Sequence, residues 1–600
     1  MQVTNAQFRT GLREQRMHIL VIATDFDGTI SEGDQLNPEA GRVLRHWREA
    51  GRFTVLASGR PFDFLRDLGE REAAFDLIVA ENGAVLYDPH TDEMRLPFGE
   101  VPGELLDMLA GLGVPLWRGI AIAGTRQPYD DAVWVASREL GLAVHVETNR
   151  NEVMLLPPGA SKGAGLLNLL RVKGLSPRNL LAIGDAENDH SLLQVAEVRV
   201  SVANAVESLK RIADHVTAEP GPTGATTFIE RYLLDGRAFD FPVRGAHHFC
   251  LDAAAEVNLN GYELVDRDVL ITGGSGHRKS WLASRLADGL VDGGYQFLGL
   301  DPVGDLHSLS RHASCLCLGT DAPPPMSLVV QLLTETDLSL VLDLSHMPTP
   351  EERVLYTTGL LRQVIEVHRR FGKPHWLLID EAQDLLGGQD NPARLPLLQG
   401  LKVPGVCLVT WRPSCLDDAL LDKTDGLLLT RQSLKEEIEC LGRLLANRGI
   451  DVTGLAERLG GLGEGQALVW GLTPSADETL MPFRFGTGPR IFPSMHHLHQ
   501  HLEQGVAPAR QFYFRDQTGH TLPASNLGEL IDRVRTLDLT ALTFHFRRGD
   551  FGRWVRDVLH DEILARWLDR LRIVDLSGEE LRLAFLEALE QRYRTLERLI

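Results

Sequence analysis

The sequence predicts an α/β protein built on doubly wound parallel sheets, with a smaller, mostly helical segment at the C-terminal end. Three observations carry that reading. Short unbroken runs of Ile, Val, Leu and Ala recur, as strands buried on both faces require. Stretches of helical character separate them, the alternation that puts helices on both faces of a parallel sheet. The runs also end in Asp, Ser, Gly or Lys, and ligands of such sheets bind at the carboxyl ends of the strands.

The chain of 600 residues is too long for one core, so several domains are expected. No apolar run reaches the roughly 18–20 residues that span a membrane. Residues 1–17 are polar, with Arg9, Arg13 and Arg16 and no apolar centre, unlike a secretory signal. The six cysteines are scattered; Cys315 and Cys317 lack companion ligands, so they read as reduced thiols of a cytoplasmic protein. A net charge of −21 disfavours a whole-protein attraction to nucleic acid, though a local basic surface is compatible with it.

The first element is the run 18–24, which ends in Asp25-Phe26-Asp27-Gly28-Thr29. Strand alternation leans Asp25 and Asp27 to one side, where a divalent cation with hard oxygen ligands, Mg²⁺, would offset their repulsion. A helix follows over 37–50, then a second strand, 53–57, ends in Ser58-Gly59-Arg60. Ser58 and the amides before the next helix suit phosphate oxygens. A third strand, 77–80, runs into Glu81-Asn82-Gly83-Ala84, a hairpin turn. Later, Val153–Leu156 precedes Ser161-Lys162-Gly163 at a helix entrance, where a lysine opposes the helix dipole and invites an anion. The strand 180–184 ends in Asp185-Ala186-Glu187-Asn188-Asp189, and the strand 198–202 in Ala203-Asn204-Ala205.

In that order these segments resemble the four motifs of the haloacid dehalogenase-like phosphatases over residues 18–235, with an α/β cap of the Cof and sugar-phosphatase type at roughly 84–158. The resemblance implies a phosphoric monoester hydrolase acting on a phosphorylated small molecule, a sugar phosphate above all. It implies Asp25 as nucleophile and Asp27 as general acid and base, with Ser58 and Lys162 stabilising the transferring phosphoryl group. It further implies Mg²⁺ held by Asp25, the main-chain carbonyl of Asp27, and Asp185, with Asn188 and Asp189 in support.

Turn residues at 221–224 and 236–245 mark a boundary, giving a first domain over 1–236 and a second over 240–500. The second opens with the strand 269–272, the loop Gly273-Gly274-Ser275-Gly276-His277-Arg278, and Lys279-Ser280 at a helix start. That is the layout of a phosphate-binding loop, although Arg278 stands where the pattern has glycine. Downstream, the strand 375–379 ends in Asp380-Glu381, suited to orient a Mg²⁺-bound water and to polarise an attacking water. With Asp301-Pro302-Val303-Gly304-Asp305 and Thr410-Trp411-Arg412-Pro413-Ser414, the region resembles the P-loop ATPases of the HerA and FtsK-like translocase group. Arg278, and Trp411 in place of a glutamine, depart from that group and set ATP binding as a regulatory module ahead of ATP turnover. A nucleic-acid translocase, the competing reading, works as a ring and requires a homo-oligomer, ATP turnover and a basic channel. A third reading is a nucleotide-sensing switch acting on cap closure.

The remainder, 508–600, reads as a β-hairpin near Phe512 followed by amphipathic helices, and resembles a small accessory domain of unknown function. His545, alternating with Phe544 and Phe546, is expected to pack rather than to catalyse.

Overall fold

The computed structural model describes residues 19–597 except 69–70, 150, 244–246, 252–256, 320–321, 348, 389–390, 400–404, 473–478, 486–504, 507–510, 516–520, 560 and 573–576. The first sheet is built from β1 (Val21–Thr24), β2 (Phe53–Ala57), β3 (Leu77–Ala80), β4 (Val85–Asp88) and β5 (Glu93–Arg95). A separate four-stranded sheet follows, from β6 (Trp117–Arg118), β7 (Ala123–Arg126), β8 (His145–Asn149) and β9 (Glu152–Leu156). The chain then returns to the first sheet with β10 (Leu180–Gly184), β11 (Val198–Ser201) and β12 (His215–Val216).

In the first sheet the order is β12-β11-β10-β1-β2-β3-β4-β5, parallel from β12 to β3 and antiparallel from β3 to β5. The strands β1, β2, β3 and β10 are buried nearly throughout, which is why their sequences are apolar without alternation. β1 lies between β2 and β10, so the chain reverses direction across the sheet there and leaves a crevice at their carboxyl ends. The helix Pro38–Glu49 covers one face with Val43, Leu44 and Trp47. The Asn37 side chain caps that helix by accepting from the Glu39 and Ala40 amides, an arrangement that contributes about 1 kcal/mol.

The cap is shorter than the sequence suggested. β4 and β5 pair with the first sheet, so the boundary drawn at residue 84 falls two strands early. The reason is the tight turn at Glu81–Gly83, which takes Asn82 and Gly83 to positive φ and folds β4 back onto β3. The cap proper is the sheet β8-β9-β7-β6 with the helices Gly103–Gly111 and Asp130–Leu140 on one face. Ala123 and Leu155 join Leu105, Leu109 and Val133 in the cap's own core, whereas Ile122, Met154 and Leu156 join the core of the first sheet.

A second α/β unit carries β13 (Val269–Thr272), β14 (Phe297–Asp301), β15 (Cys315–Leu318), β16 (Ser339–Asp343), β17 (Trp376–Ile379), β18 (Gly405–Thr410), β19 (Gly426–Leu429), β20 (Gln466–Trp470) and β21 (Met481–Arg484). Their order is β15-β16-β14-β17-β18-β13-β19-β20-β21, parallel except at β20 and β21. The expected strand, glycine loop and helix appear as β13, residues 273–278 and the helix Lys279–Asp292.

The two units meet at the amino ends of their strands. Glu197, fully buried before β11, pairs with Arg178 at 2.6 Å and accepts from the Tyr295 hydroxyl, just before β14. Gly372 abuts Asn179, before β10, so closely that a Cβ there would lie 2.7 Å from its amide carbon. The carboxyl-end crevices of the two sheets therefore open away from this seam.

At the C-terminal end, the hairpin Phe512–Arg515 with Thr521–Ala524 packs on helices that run from Leu527 to Glu597. Phe512, Phe514, Phe551 and Phe585 form its core, and His545 sits among these rings with Nδ1 2.9 Å from Asp550. Among the described residues no helix is long and apolar enough to cross a membrane.

Candidate active site

Asp25 is the first residue beyond β1 and Asp185 the first beyond β10, which brings the two acids together at the crevice. Lys162 opens the helix Lys162–Val172, and its Nζ lies 2.6 Å from Asp25 Oδ1 and 2.6 Å from Asp189 Oδ1. All three are buried. A lone charge there would be costly, and the shared ammonium offsets that cost. Asp189 is fixed further by accepting from the Asp185 and Ala186 amides at 2.9 and 3.0 Å. Burial first, and Asp189 next, push the Asp25 carboxyl well above the usual carboxylate range, with Lys162 working against them. Burial disfavours the Lys162 ammonium, yet the Asp189 and Asp25 charges outweigh it and hold its pKa above the ordinary lysine range.

Carboxylate oxygens of Asp25, Asp185 and Asp189 lie within 4.8 Å of one another, a hard-oxygen set that fits Mg²⁺. Two further observations fit the same group. A Cβ on Gly28 would lie 2.4 Å from Asp185 Oδ2, so only glycine leaves this approach open, and Gly28 has φ +76°. Asn188 Oδ1 is buried without a hydrogen-bond partner among the described residues, while its amide nitrogen donates to Asn82 Oδ1 at 3.2 Å. Asn204 donates to the Gly28 carbonyl at 3.0 Å and so ties the β11 loop to the turn after β1.

The expectation that the Asp25 and Asp27 carboxylates lean together over one cation is corrected for the side chains alone. The Asp27 carboxylate is not part of the cluster; Arg60 holds it in two hydrogen bonds, at 2.9 and 2.6 Å. The strand ends at Thr24, so the alternation that would have aligned the two acids no longer applies. Asp189, expected only in support, sits among the acids of the cluster.

Ser58, fully buried beyond β2, accepts the Arg60 amide on its hydroxyl at 3.1 Å, and its carbonyl takes the Asn82 amide. Glu81, also fully buried, accepts from the amides of Phe62, Ile120, Ala121 and Ile122 at 3.0, 2.9, 2.8 and 3.2 Å. Phe62 follows the Ser58 turn and 120–122 belong to the cap, so this one carboxylate fastens cap to core. In the sequence Glu81 reads only as part of a turn. Its strand-end position was legible, but its burial and its cap partners, some forty residues away, were not.

In the second unit Lys279 Nζ donates to the Gly274 carbonyl at 3.2 Å, and Ser280 Oγ donates to Asp305 Oδ2 at 3.3 Å. Gly273 has φ +157° and its Cβ position is blocked by Thr430, so the loop leaves β13 close against β19. Ser275 is exposed and Gly276 has φ +80°. Arg278 takes φ +61°, a left-handed conformation that costs a non-glycine residue about 1–2 kcal/mol, and pairs with Glu464. Asp380 follows β17 fully buried, and burial, then Asp301, Asp305 and Glu381, push its carboxyl well above the usual range. Glu381 is raised as well, by burial first, and accepts from Gln383 at 2.6 Å. Asp301 takes four backbone amides, from Val303 to Leu306, and Asp343 ends the neighbouring strand β16.

Residues 22–96 and 137–229 match the family model of the haloacid dehalogenase-like hydrolases. A phosphoglycolate phosphatase of Methanoculleus marisnigri is 34% identical over 223 residues, covering 35% of this chain and 95% of that protein. The chain belongs to the haloacid dehalogenase-like hydrolases. The N-terminal domain carries that membership, and the chain is a phosphoric monoester hydrolase. Other relatives of this hydrolase domain bear different names. A 5-amino-6-(5-phospho-D-ribitylamino)uracil phosphatase of Bacillus subtilis is 22% identical and covers 37% of this chain and 99% of that protein. Among solved structures, a haloacid dehalogenase-like hydrolase from Bacteroides thetaiotaomicron is 21% identical, covers 36% of this chain and 100% of its own, and has a TM-score of 0.31.

Proposed function

We propose that the N-terminal domain is a Mg²⁺-dependent phosphatase of a phosphorylated small molecule that works through an aspartyl-phosphate on Asp25. The observation that carries this reading is the buried trio of Asp25, Lys162 and Asp189, tied at 2.6 Å and flanked by Asp185. Asp25, Asp185 and Asp189 would hold Mg²⁺, with the main-chain carbonyl of Asp27 and the Asn188 side chain beside them. Bound there, the cation supplies charge neutralisation that lets a carboxylate approach an anionic phosphate.

Asp25 attacks phosphorus as the ester P–O bond breaks, and Asp27 delivers a proton to the departing oxygen. Water then attacks the phosphorus of the aspartyl-phosphate while Asp27 accepts its proton, which frees Asp25 and inorganic phosphate. Ser58 and Lys162 stabilise charge on the transferring oxygens from fixed, water-excluded positions. The clasp of Glu81 on residues 120–122 keeps the cap over the site and water out of it.

The division into 1–236, 240–500 and 508–600 belongs to the same reading, with the second unit binding a nucleotide phosphate at 273–280 as a regulatory module. Among the described residues Asp305 Oδ1 and Asp380 Oδ2 are buried without hydrogen-bond partners, which favours a cation beside Lys279 and Ser280. Arg278 in the loop counts against turnover. Phosphate release with Mg²⁺ from small phosphate esters and from ATP tests both parts. Loss of ester cleavage in Asp25→Asn but not in Lys279→Ala supports the assignment. Consumption of ATP alone, stopped by Lys279→Ala and not by Asp25→Asn, reverses it.

A further inference from the structure

The cap sheet turns one face to the site, and a single crosswise row of that face has a definite chemistry. In register, Glu147 on β8 is opposite Met154 on β9, Met154 is opposite Gly124 on β7, and Gly124 is opposite Trp117 on β6. Directly paired residues of antiparallel strands share a face. Met154 settles which face it is, because it packs in the core of the first sheet and its sulfur accepts from Asn82 at 3.3 Å. Val146, the neighbour of Glu147, packs in the cap's own core on the other side. A Cβ on Gly124 would lie 2.3 Å from the Trp117 ring, so the glycine lets the indole lie flat across the row. The row therefore presents a carboxylate, a thioether and an indole.

Glu147 is half-buried on a strand that packs against the turn Glu187–Asp189, and it takes no hydrogen bond or ion pair among the described residues. The basic side chains of that face, His145 and Arg126, lie one row to either side and are exposed. A phosphate ester seated with its phosphorus at Asp25 would extend its organic part toward this row.

We infer that Glu147, with Met154 and Trp117 beside it, selects substrates whose organic part is uncharged and rich in hydroxyl groups, and rejects those bearing a carboxylate. A hydroxyl donates to Glu147 and the carbon face of a polyol or sugar lies on Trp117. A carboxylate in the same place meets a like charge where water is excluded. The inference rests on the phosphatase reading above and runs against the substrate named for the Methanoculleus relative.

The test compares kcat/KM of the full chain with Mg²⁺ for a hexose 6-phosphate, glycerol 3-phosphate, phosphoglycolate and p-nitrophenyl phosphate. At least one hydroxyl-bearing ester is expected to exceed phosphoglycolate by more than about tenfold. In Glu147→Gln that ester loses about tenfold, mainly in KM, while p-nitrophenyl phosphate stays within about twofold. Glu147→Lys is expected to reverse the preference toward phosphoglycolate. Wild-type preference for phosphoglycolate overturns the inference, as does an equal fall for every ester in a Glu147→Gln protein that melts like wild type. Cleavage of none of the four esters, or cleavage that survives Asp25→Asn, overturns the phosphatase reading itself, and the inference falls with it.

Discussion

Arg60 grips Asp27 in a two-pronged ion pair, Nε to Oδ2 at 2.9 Å and Nη2 to Oδ1 at 2.6 Å. Its guanidinium also reaches Asp34 at 2.8 Å and lies 4.4 Å over the Phe64 ring. Asp27 is thereby kept apart from the acids that cluster around Lys162, in keeping with the different roles proposed for the two aspartates. Asp25 stands in the dry cluster, whereas Asp27 stands half-exposed at its edge, where in the proposed reaction a leaving oxygen or a water would arrive. Asp27→Asn should therefore spare the first step for an ester with a good leaving group and block the second. With p-nitrophenyl phosphate, rapid mixing should give a burst near one equivalent followed by turnover slowed about 10²–10⁴-fold. Loss of burst and turnover together would contradict this division.

Lys162 is the cation that makes the cluster tolerable in the absence of metal. Lys162→Met leaves Asp25 and Asp189 buried without it, and removal of one partner of a buried pair costs about 3–5 kcal/mol. Denaturant unfolding in a chelator should show that loss. Millimolar Mg²⁺ should restore part of it in the variant, because the cation binds the same acids. Equal losses with and without Mg²⁺ would mean that the acids do not bind metal.

Glu81 should control how often the cap opens. Glu81→Gln replaces a carboxylate that takes four backbone amides with a group that has one acceptor oxygen. Hydrogen bonds to a charged group contribute about 1.5–3 kcal/mol, so exchange at the amides of Ile120, Ala121 and Ile122 should accelerate by at least about tenfold. Unchanged protection at these amides would show that the clasp is not what closes the cap.

The acids of the second unit set a pH dependence. Burial, then Asp305, push the Asp301 carboxyl up to about 7, and Asp380 and Glu381 are raised in the same direction. A carboxyl raised in the folded state binds its proton more tightly there than in the unfolded chain. Its stabilising contribution is present below the unfolded value of about 4 and lost as pH rises through the folded value. Asp380→Asn removes one such group and should stabilise the chain by about 1–3 kcal/mol more at pH 8 than at pH 5, measured in a chelator. A change in stability on substitution that is no more favourable at pH 8 than at pH 5 would contradict the sign.

Much of this was legible in the sequence because strands buried on both faces advertise themselves. Runs such as Leu180–Gly184 fix the sheet, and the acid, hydroxyl and lysine residues at their ends mark the crevice without knowledge of the fold. What stayed hidden depended on contacts across the chain. The pairing of Arg60 with Asp27 follows from where Thr24 ends its strand, and no periodicity reports that. Strands β4 and β5 read as cap because a hairpin extending a sheet and a hairpin starting a new one share the same turn residues. Glu147 lies in an ordinary alternating strand, and only the pairing with Met154 turns it toward the site.

In the proposed reaction Asp25 becomes phosphorylated in every turnover. Acid quench of the full chain with Mg²⁺ and a cleaved ester, followed by mass analysis of the peptides, tests it most directly. One added phosphoryl group is expected on the peptide that carries Asp25, lost on treatment with hydroxylamine and absent in Asp25→Asn. Turnover with no phosphorylated peptide in wild type, or cleavage that persists in Asp25→Asn, would contradict it.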